Sequence, residues 1–391
     1  MSAIYLDYAA ATPVDKKVNS LMSEVSTRFF GNPSSVHSFG LEAKKTLEEA
    51  RKKIAGLSGV KSDEIIFTGS GTESINLAIL GVARFYPEPS KMSSGASKKG
   101  HILTTNIEHM SVLRACRQLE KEGFKVDYLP VEQNGIIDPE RIIKAVKPNT
   151  ILISVQYANN EIGTIQPIKT IAQKLKMADL SVPVFHTDAC QAAGFLNIRP
   201  ETLGVDLLSF NGSKIYGPKG VGVLFKKNKI KLEPIIYGGP QERGLRAGTE
   251  NVSLATGMAL SLELAEENKA KEVKRLTSLR DWLIQKIQIK IPETKLNGDS
   301  KKRLPNNINI SFKGVDGEML MLGLNRRGFA VSTGSACTTS ETGPSHVISA
   351  LGGSKEEGNL RITLGRETTK KELETFLETL KEEVTKLRKL S

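Results

Sequence analysis

Apolar positions recur along this chain in two rhythms. Between residues 41 and 57 they fall at Leu47, Ala50, Ile54 and Leu57, the three-to-four spacing of a helix with one buried face. Residues 65–68 (IIFT) read as a short strand, and SGTESINLAILGVARF opens on small residues and continues as an apolar helix. Beyond residue 100 the rhythms alternate. Strand-like HILTTNIEH precedes a helix over 111–122, VDYLPV precedes a helix over 139–147, and ILISVQY precedes one over 168–177. VPVFHTD, DLLSFNGSK and VGVLFKK add three more strands. Such alternation predicts an α/β domain, with a mostly parallel sheet covered on both faces. After Thr249 the pattern changes to a long helical stretch (254–290), the strands NINISF, FAVSTG and LRITLG, and a closing helix over 370–390. That last helix gathers Leu373, Phe376, Leu377, Leu380, Val384 and Leu387 on one face. A smaller α+β domain is therefore expected to follow the larger one, with the boundary in or near the long helix. Residues 87–99 (PEPSKMSSGASKK) predict a surface loop inserted within the first domain.

Composition narrows the function classes. A chain of 391 residues with 39% hydrophobic content can bury two cores. No run approaches the ~18 consecutive apolar residues of a membrane span. The start, MSAIYLDYAAATPVD, lacks the basic and apolar regions of a signal peptide, so none is expected. Cys116, Cys190 and Cys337 lie far apart, which excludes a disulfide scaffold and fits a reducing cytoplasm. The net charge of +12 comes from lysines interleaved with glutamates and accompanied by no recognition motif. It reads as a solvated surface, with neither a direct nucleic-acid partner nor a membrane expected.

Several residues carry candidate chemistry, each with a plainer reading beside it. Lys214 follows an apolar strand and precedes a Gly/Pro-rich turn; a partly desolvated lysine there forms Schiff bases, although alone it reads as a surface lysine. Asp188 ends the strand FHTD, at the sheet edge where open α/β folds bind ligands, or else it caps a turn. Gly69, Ser70, Gly71 and Thr72 form a turn into a helix N-terminus that suits an anion, or simply a capped helix. His109 is placed to stack on a ring or move protons, or to be a satisfied structural histidine. Asn159 and Asn160 offer amides to a ligand or form a turn. Arg361, inside a strand-like run, needs an anion from the protein or from a substrate. Cys337 lies among small residues in STGSACTTS, an unusual setting for a thiol that normally packs as a small hydrophobe. Lysine, carboxylate, phosphate turn, stacking ring and arginine are together the parts list of a pyridoxal 5′-phosphate site.

The motifs YLDYAAATPVD, GNPSSVHSFG, FTGSGTESINLAI, IEHMSVL, NNEIGTIQP, HTDACQ, SKIYGPKGVG, ERGLRAGTENV, STGSACTTS and LRITLGR resemble, in this order, those of the cysteine desulfurases of NifS/IscS type. These are fold-type-I pyridoxal phosphate enzymes of the class V aminotransferase-like family, and the resemblance spans nearly the whole chain. It implies the fold of that family: a large domain (15–258) with a mostly parallel seven-stranded sheet, and a small α+β domain (1–14 plus 259–391) carrying Cys337 and Arg361. The implied activity takes sulfur from L-cysteine, leaves L-alanine and forms a persulfide on Cys337. A cytoplasmic homodimer would pass that sulfur to an acceptor protein, for iron–sulfur cluster assembly or for thiolation of tRNA or cofactors. The STGSACTTS segment resembles the branch devoted to iron–sulfur assembly. A selenocysteine lyase, or another aminotransferase-like enzyme of this fold, is the alternative.

Carried over by position, Lys214 holds the cofactor, His109 stacks on its ring and assists proton transfer, and Asp188 keeps the pyridine nitrogen protonated. Gln191 and Asn160 contact the ring hydroxyl or the substrate. Gly71 and Thr72 bind the phosphate, with Asn211 and Ser213 at its outer positions and Thr249 reaching in from the second subunit. Arg361 clamps the substrate carboxylate, Cys337 is the nucleophile, and no metal is implied. The sequence also departs from the pattern. Asn211-Gly212-Ser213 stands where Ser-Gly-His is usual, and Cys190 stands where threonine is commoner and reads as a buried structural thiol. Relatives that dock an iron–sulfur scaffold often carry a tail beyond the segment resembling LRKLS, where this sequence stops at Ser391, so the resemblance leaves scaffold docking open.

Overall fold

Strands that read as continuous apolar runs do so because both of their faces are buried. In the computed structural model, which describes residues 3–86, 99–178, 183–334, 345–354 and 357–390, alternate side chains enter two different cores. Ile65, Phe67, Leu103, Ile153, Phe185, Leu208, Val223 and Phe225 face one core. Their neighbours Ile66, Ile102, Leu152, Val184, Leu207 and Leu224 face the other. A period of two on a sheet covered on both sides gives this partition.

In chain order the strands are β1 (Ile4–Tyr5), β2 (Ile65–Thr68), β3 (His101–Thr105), β4 (Lys125–Leu129), β5 (Thr150–Ser154), β6 (Val184–Asp188), β7 (Leu207–Asn211), β8 (Gly222–Lys226), β9 (Thr294–Leu296), β10 (Asn307–Lys313), β11 (Phe329–Ala330) and β12 (Glu357–Thr363). The large sheet has the order β2-β8-β7-β6-β5-β3-β4. Only β8 runs antiparallel to its neighbours, so β2, β3, β5, β6 and β7 all point the same way. The mostly parallel seven-stranded sheet expected from the resemblance is present.

A further core lies around β12-β10-β9 and holds Leu6, Phe312, Leu360, Phe376 and Leu380. Helix Val252–Lys290 serves two cores: its first half packs Val252, Met258 and Leu262 against the large sheet, and its second half packs Leu276, Leu283 and Ile287 here. Helix Lys370–Arg388 closes this core with the apolar face read from the sequence, and its start is fixed by a Thr369/Glu372 capping box. Among the described residues, no helix is long and apolar enough to cross a membrane.

One strand is shorter than expected. FAVSTG contributes only β11, which pairs in parallel with β1, plus an isolated bridge between Ser332 and Arg361. The Ser332 hydroxyl bonds to the Gly334 backbone instead, donating to its carbonyl at 2.9 Å, and such local side-chain bonds compete with a ladder. Of the loop expected over 87–99, all but Lys99 lies outside the described residues, as does Cys337.

Phe376 is fully buried and meets Phe329 edge-on with ring centroids 5.4 Å apart. Phe376→Ala is expected to cost about 3–5 kcal/mol, read as a lower urea midpoint. A loss below about 1 kcal/mol would mean that this core contributes little to the cooperative unfolding.

Candidate active site

The shared direction of β2, β3, β5, β6 and β7 brings their carboxyl ends to one edge of the sheet. Each end delivers polar residues. The turn at 69–72 follows β2, Glu108 and His109 follow β3, Gln156 and Asn160 follow β5, Asp188 ends β6, Asn211 ends β7, and Lys214 follows it. β12 contributes Arg361 from the other core. Gly71, Thr72, His109, Asn160, Asp188, Gln191, Asn211, Lys214 and Arg361 line a single cleft of about 190 Å³. A larger groove of about 560 Å³ sits at the opposite edge, among Lys169, Lys176, Lys227 and Asp206. It holds none of the sequence-derived candidates.

The glycine turn is shaped by close packing. A Cβ on Gly71 would lie 2.7 Å from both the Asn211 Nδ2 and the Cys190 Sγ, so any side chain would fill the space in front of the helix Gly71–Phe85. A Cβ on Gly222 would lie 2.4 Å from the Ser70 carbonyl oxygen, which lets β8 pass directly beneath the turn. The Ser70 hydroxyl accepts from Glu73 N at 3.1 Å and caps the helix, so the plain capping role is real. The space that Gly71 keeps open remains for an anion at the helix N-terminus.

Lys214 ends a short 3-10 turn and donates to the Ala10 carbonyl at 2.5 Å. Gln191 donates to the Ala9 carbonyl at 3.0 Å, so the N-terminal segment lines the same wall. Asp188 is buried at the end of β6, and its Oδ1 accepts from Cys190 N at 2.8 Å. His109 caps the helix Met110–Lys121, with its Nδ1 accepting from Ser111 N at 3.1 Å and standing 2.7 Å from the Ser111 hydroxyl. With Nδ1 accepting, a neutral ring carries its proton on Nε2. Beside His109, Glu108 has no exposed surface; its carboxyl accepts from the Thr105 hydroxyl at 2.7 Å and from Gln156 N at 3.0 Å. Burial pushes Glu108 up to about 8, the Asp188 carboxylate adds to the rise, and the two donors oppose it.

Arg361 is 2% exposed. Its Nη2 donates to Asp7 Oδ1 at 2.8 Å and its Nη1 to the Asn160 carbonyl at 3.1 Å. Among the described residues, its buried Nε has no partner. The protein thus supplies one anion, as a buried arginine requires, and leaves one donor for a second.

Two described candidates are not among the residues that line the cleft. Ser213 donates to Asn211 Oδ1 at 3.4 Å, and Thr249 is exposed. Cys337 lies outside the described residues. Asn159 is fully buried and spends its amide on backbone, donating to the Ile107 carbonyl and accepting from Glu161 N and Ile162 N, which is the turn reading. Cys190 corrects an expectation: it is only partly buried and lines the cleft, because Gly71 opposite leaves its sulfur a free face. Burial and then Asp188 raise its thiol well above the ordinary range, so it is not a thiolate. Asp7, Ala9, Ala10 and Glu108 were not singled out from the sequence. YLDYAAATP and IEHMSVL contain them, but only the fold brings the first of these segments to the cleft.

These residues fit pyridoxal phosphate. The glycine turn leaves room for a phosphate at a helix N-terminus, Asp188 ends β6, Lys214 reaches the same cleft, and Arg361 keeps a buried donor without a partner among the described residues.

The comparisons with known proteins agree. The family model described as aminotransferase class-V matches residues 4–376. The cysteine desulfurase IscS of Dictyoglomus turgidum is 48% identical, over 99% of this chain and 96% of its own length. That of Haemophilus influenzae (strain PittEE) is 46% identical over 99% and 94%. Among solved structures, a NifS-like protein superposes with a TM-score of 0.89 at 35% identity, covering 98% of this chain and 99% of its own. A structure titled SspA in complex with cysteine gives 0.79 at 35% identity, over 92% of this chain and 98% of its own.

The raised Glu108 carboxyl sets a pH dependence. Its folded-state value of about 8 lies above the ordinary 4.5, so its contribution to stability is complete below 4.5 and is lost as pH rises through 8. Glu108→Gln is expected to flatten that loss. Melting curves at pH 6 and pH 9 should differ by at least a few degrees less in the variant than in the wild type. Equal slopes would show that Glu108 is ionised without cost.

Proposed function

The chain belongs to the class-V aminotransferase family, and from that premise we propose that it is a pyridoxal phosphate-dependent cysteine desulfurase. The observation that carries the reading is the meeting of Lys214, Asp188 and Arg361 in one cleft over an open glycine turn. The relatives named cysteine desulfurase, matched along nearly their whole length, support the same activity.

When bound, pyridoxal phosphate supplies an electron sink for the charge released at the substrate α-carbon and weakens the bond to its sulfur. The chain's own residues do the rest. Lys214 would anchor the cofactor and, once released from it, would take the α-proton of L-cysteine and later return a proton to that carbon. Asp188 would hold the proton on the ring nitrogen. His109 would stack on the ring, and Asn160 and Gln191 would contact its hydroxyl or the substrate. Gly71 and Thr72 would hold the phosphate, with Asn211 and Ser213 at its outer positions and Thr249 reaching in from a second subunit. Arg361 takes the substrate carboxylate through its unpartnered Nε. The Cys337 thiolate attacks the substrate sulfur. A sulfur–sulfur bond forms, the carbon–sulfur bond breaks, and its electron pair stays on the β-carbon, which takes a proton and leaves as alanine.

The domain division at 15–258 against 1–14 plus 259–391 belongs to this proposal and is supported by the two cores that share helix Val252–Lys290. So do the homodimer, the cytoplasmic setting, and an acceptor protein serving iron–sulfur assembly or thiolation. Thr249 is exposed, as a residue that reaches into a second subunit's site would have to be.

Purified protein given pyridoxal phosphate, L-cysteine and a thiol reductant should release sulfide and alanine in equal amounts. Cys337→Ser should abolish sulfide release while keeping the visible absorbance of bound cofactor, and Lys214→Ala should lose that absorbance. Amino-group transfer from L-cysteine that persists undiminished in Cys337→Ser, without sulfide release, would point to transamination instead.

The phosphate end bears on cofactor affinity, because Asn211 and Ser213 replace a serine and an imidazole. Neutral donors bind phosphate less strongly than charged ones. Ser213→His is expected to tighten pyridoxal phosphate binding by roughly fivefold, measured by titrating the apo form. Unchanged affinity would remove Ser213 from the cradle.

A further inference from the structure

Glu73 stands in the first turn of the helix that forms the phosphate turn, where its charge is a liability. A carboxylate this close to a bound phosphate repels it unless neutralised. Its Oε2 accepts from Gly69 N at 2.8 Å, at the start of the turn, and its Oε1 accepts from Arg246 Nε at 2.9 Å. Both side chains are largely buried, so the pair is little screened by solvent.

Arg246 is itself held in place by an unusual segment. Glu242 and Arg243 have φ of 46° and 60°, a left-handed conformation that costs non-glycine residues energy and persists only where surrounding contacts enforce it. Those contacts are present. The Glu242 carboxylate, in a residue 5% exposed, accepts from Arg51 Nη1 and Nη2 at 2.7 Å each, and from Phe67 N at 2.9 Å. Arg243 Nη1 donates to the Ile65 carbonyl at 3.1 Å. Residues 242–246 are thus strapped along β2, the strand that runs into the phosphate turn.

We propose that Arg246 is a positioning residue for the phosphate turn: it neutralises Glu73 and locks it onto Gly69, so that the turn accepts a phosphate monoester. The strap along β2 pins Arg246 for that purpose, and the same segment goes on to Thr249. The inference rests on the pyridoxal phosphate reading above.

The test compares pyridoxal phosphate with pyridoxal, which forms the same visible band with Lys214 but lacks the phosphate. Arg246→Ala is expected to weaken pyridoxal phosphate about tenfold and leave pyridoxal unchanged. Arg246→Lys, which keeps the charge, should retain most of the affinity. Adding Glu73→Gln to Arg246→Ala removes the uncompensated charge and should recover at least about half of the lost binding energy. Equal weakening of both ligands, or no recovery in the double variant, overturns the proposal. Melting temperatures of the apo variants check that each is folded. If the wild type itself forms no band with pyridoxal phosphate, it is the cofactor reading that fails.

Discussion

The Arg361 guanidinium joins three parts of the chain that lie far apart in sequence. It projects from the strand of one core, donates to Asp7 of the N-terminal segment, and donates to the Asn160 carbonyl from the loop after β5 of the large sheet. A guanidinium this buried is costly unless its charge and its donors are met, so the contact fixes all three elements in relation to one another. The consequences run outward along the N-terminal segment. Ala9 N donates to the Thr363 hydroxyl on the Arg361 strand. The Ala9 and Ala10 carbonyls then take Gln191 and Lys214, and the Thr12 hydroxyl accepts from Tyr216 N. One short stretch of chain, held by this ion pair and by backbone bonds to β11 and β12, forms a wall of the cleft and holds the lysine turn.

That turn is under strain. Tyr216, two residues beyond Lys214, has φ of 61°, in the left-handed region. Arg366 lies over its ring at 4.1 Å, and the Tyr216 hydroxyl accepts from Arg366 N at 2.7 Å. Strain of this kind, held by contacts from a distant part of the chain, is a way to fix a reactive side chain where the backbone alone would not leave it. The left-handed pair at Glu242 and Arg243 follows the same logic beside the phosphate turn. Both strained sites flank the cleft.

The sheet and its helices were legible because periodicity is a local signal: apolar runs with both faces buried, and a glycine turn opening a helix. The residues that end strands at the carboxyl edge, Asp188, Lys214 and His109, were legible for the same reason, since an open α/β sheet places such ends together. What could not be read locally is long-range pairing. Asp7 and Arg361 are 354 residues apart, and Arg51 and Glu242 are 191 apart. No spacing rule links such partners. Glu108 was hidden differently, as an acidic residue beside a more conspicuous histidine, and only its complete burial sets it apart. FAVSTG misled because its alternation suits a strand, while the serine within it bonds to the local backbone instead.

The carboxyl groups around the cleft divide by environment. Asp7 pairs with the Arg361 guanidinium at 2.8 Å. Glu108 has no cation among its hydrogen-bond partners, only a hydroxyl and a backbone N–H, and burial raises it to about 8. Were Glu108 ionised at neutral pH, its charge would add to that of Asp188 in the same buried region, and the repulsion between them is one of the causes of the rise. A neutral Glu108 leaves Asp188 as the carboxylate facing the cleft. Its negative charge is what a protonated ring nitrogen needs for a partner, so the buried glutamic acid contributes by withholding a charge of its own.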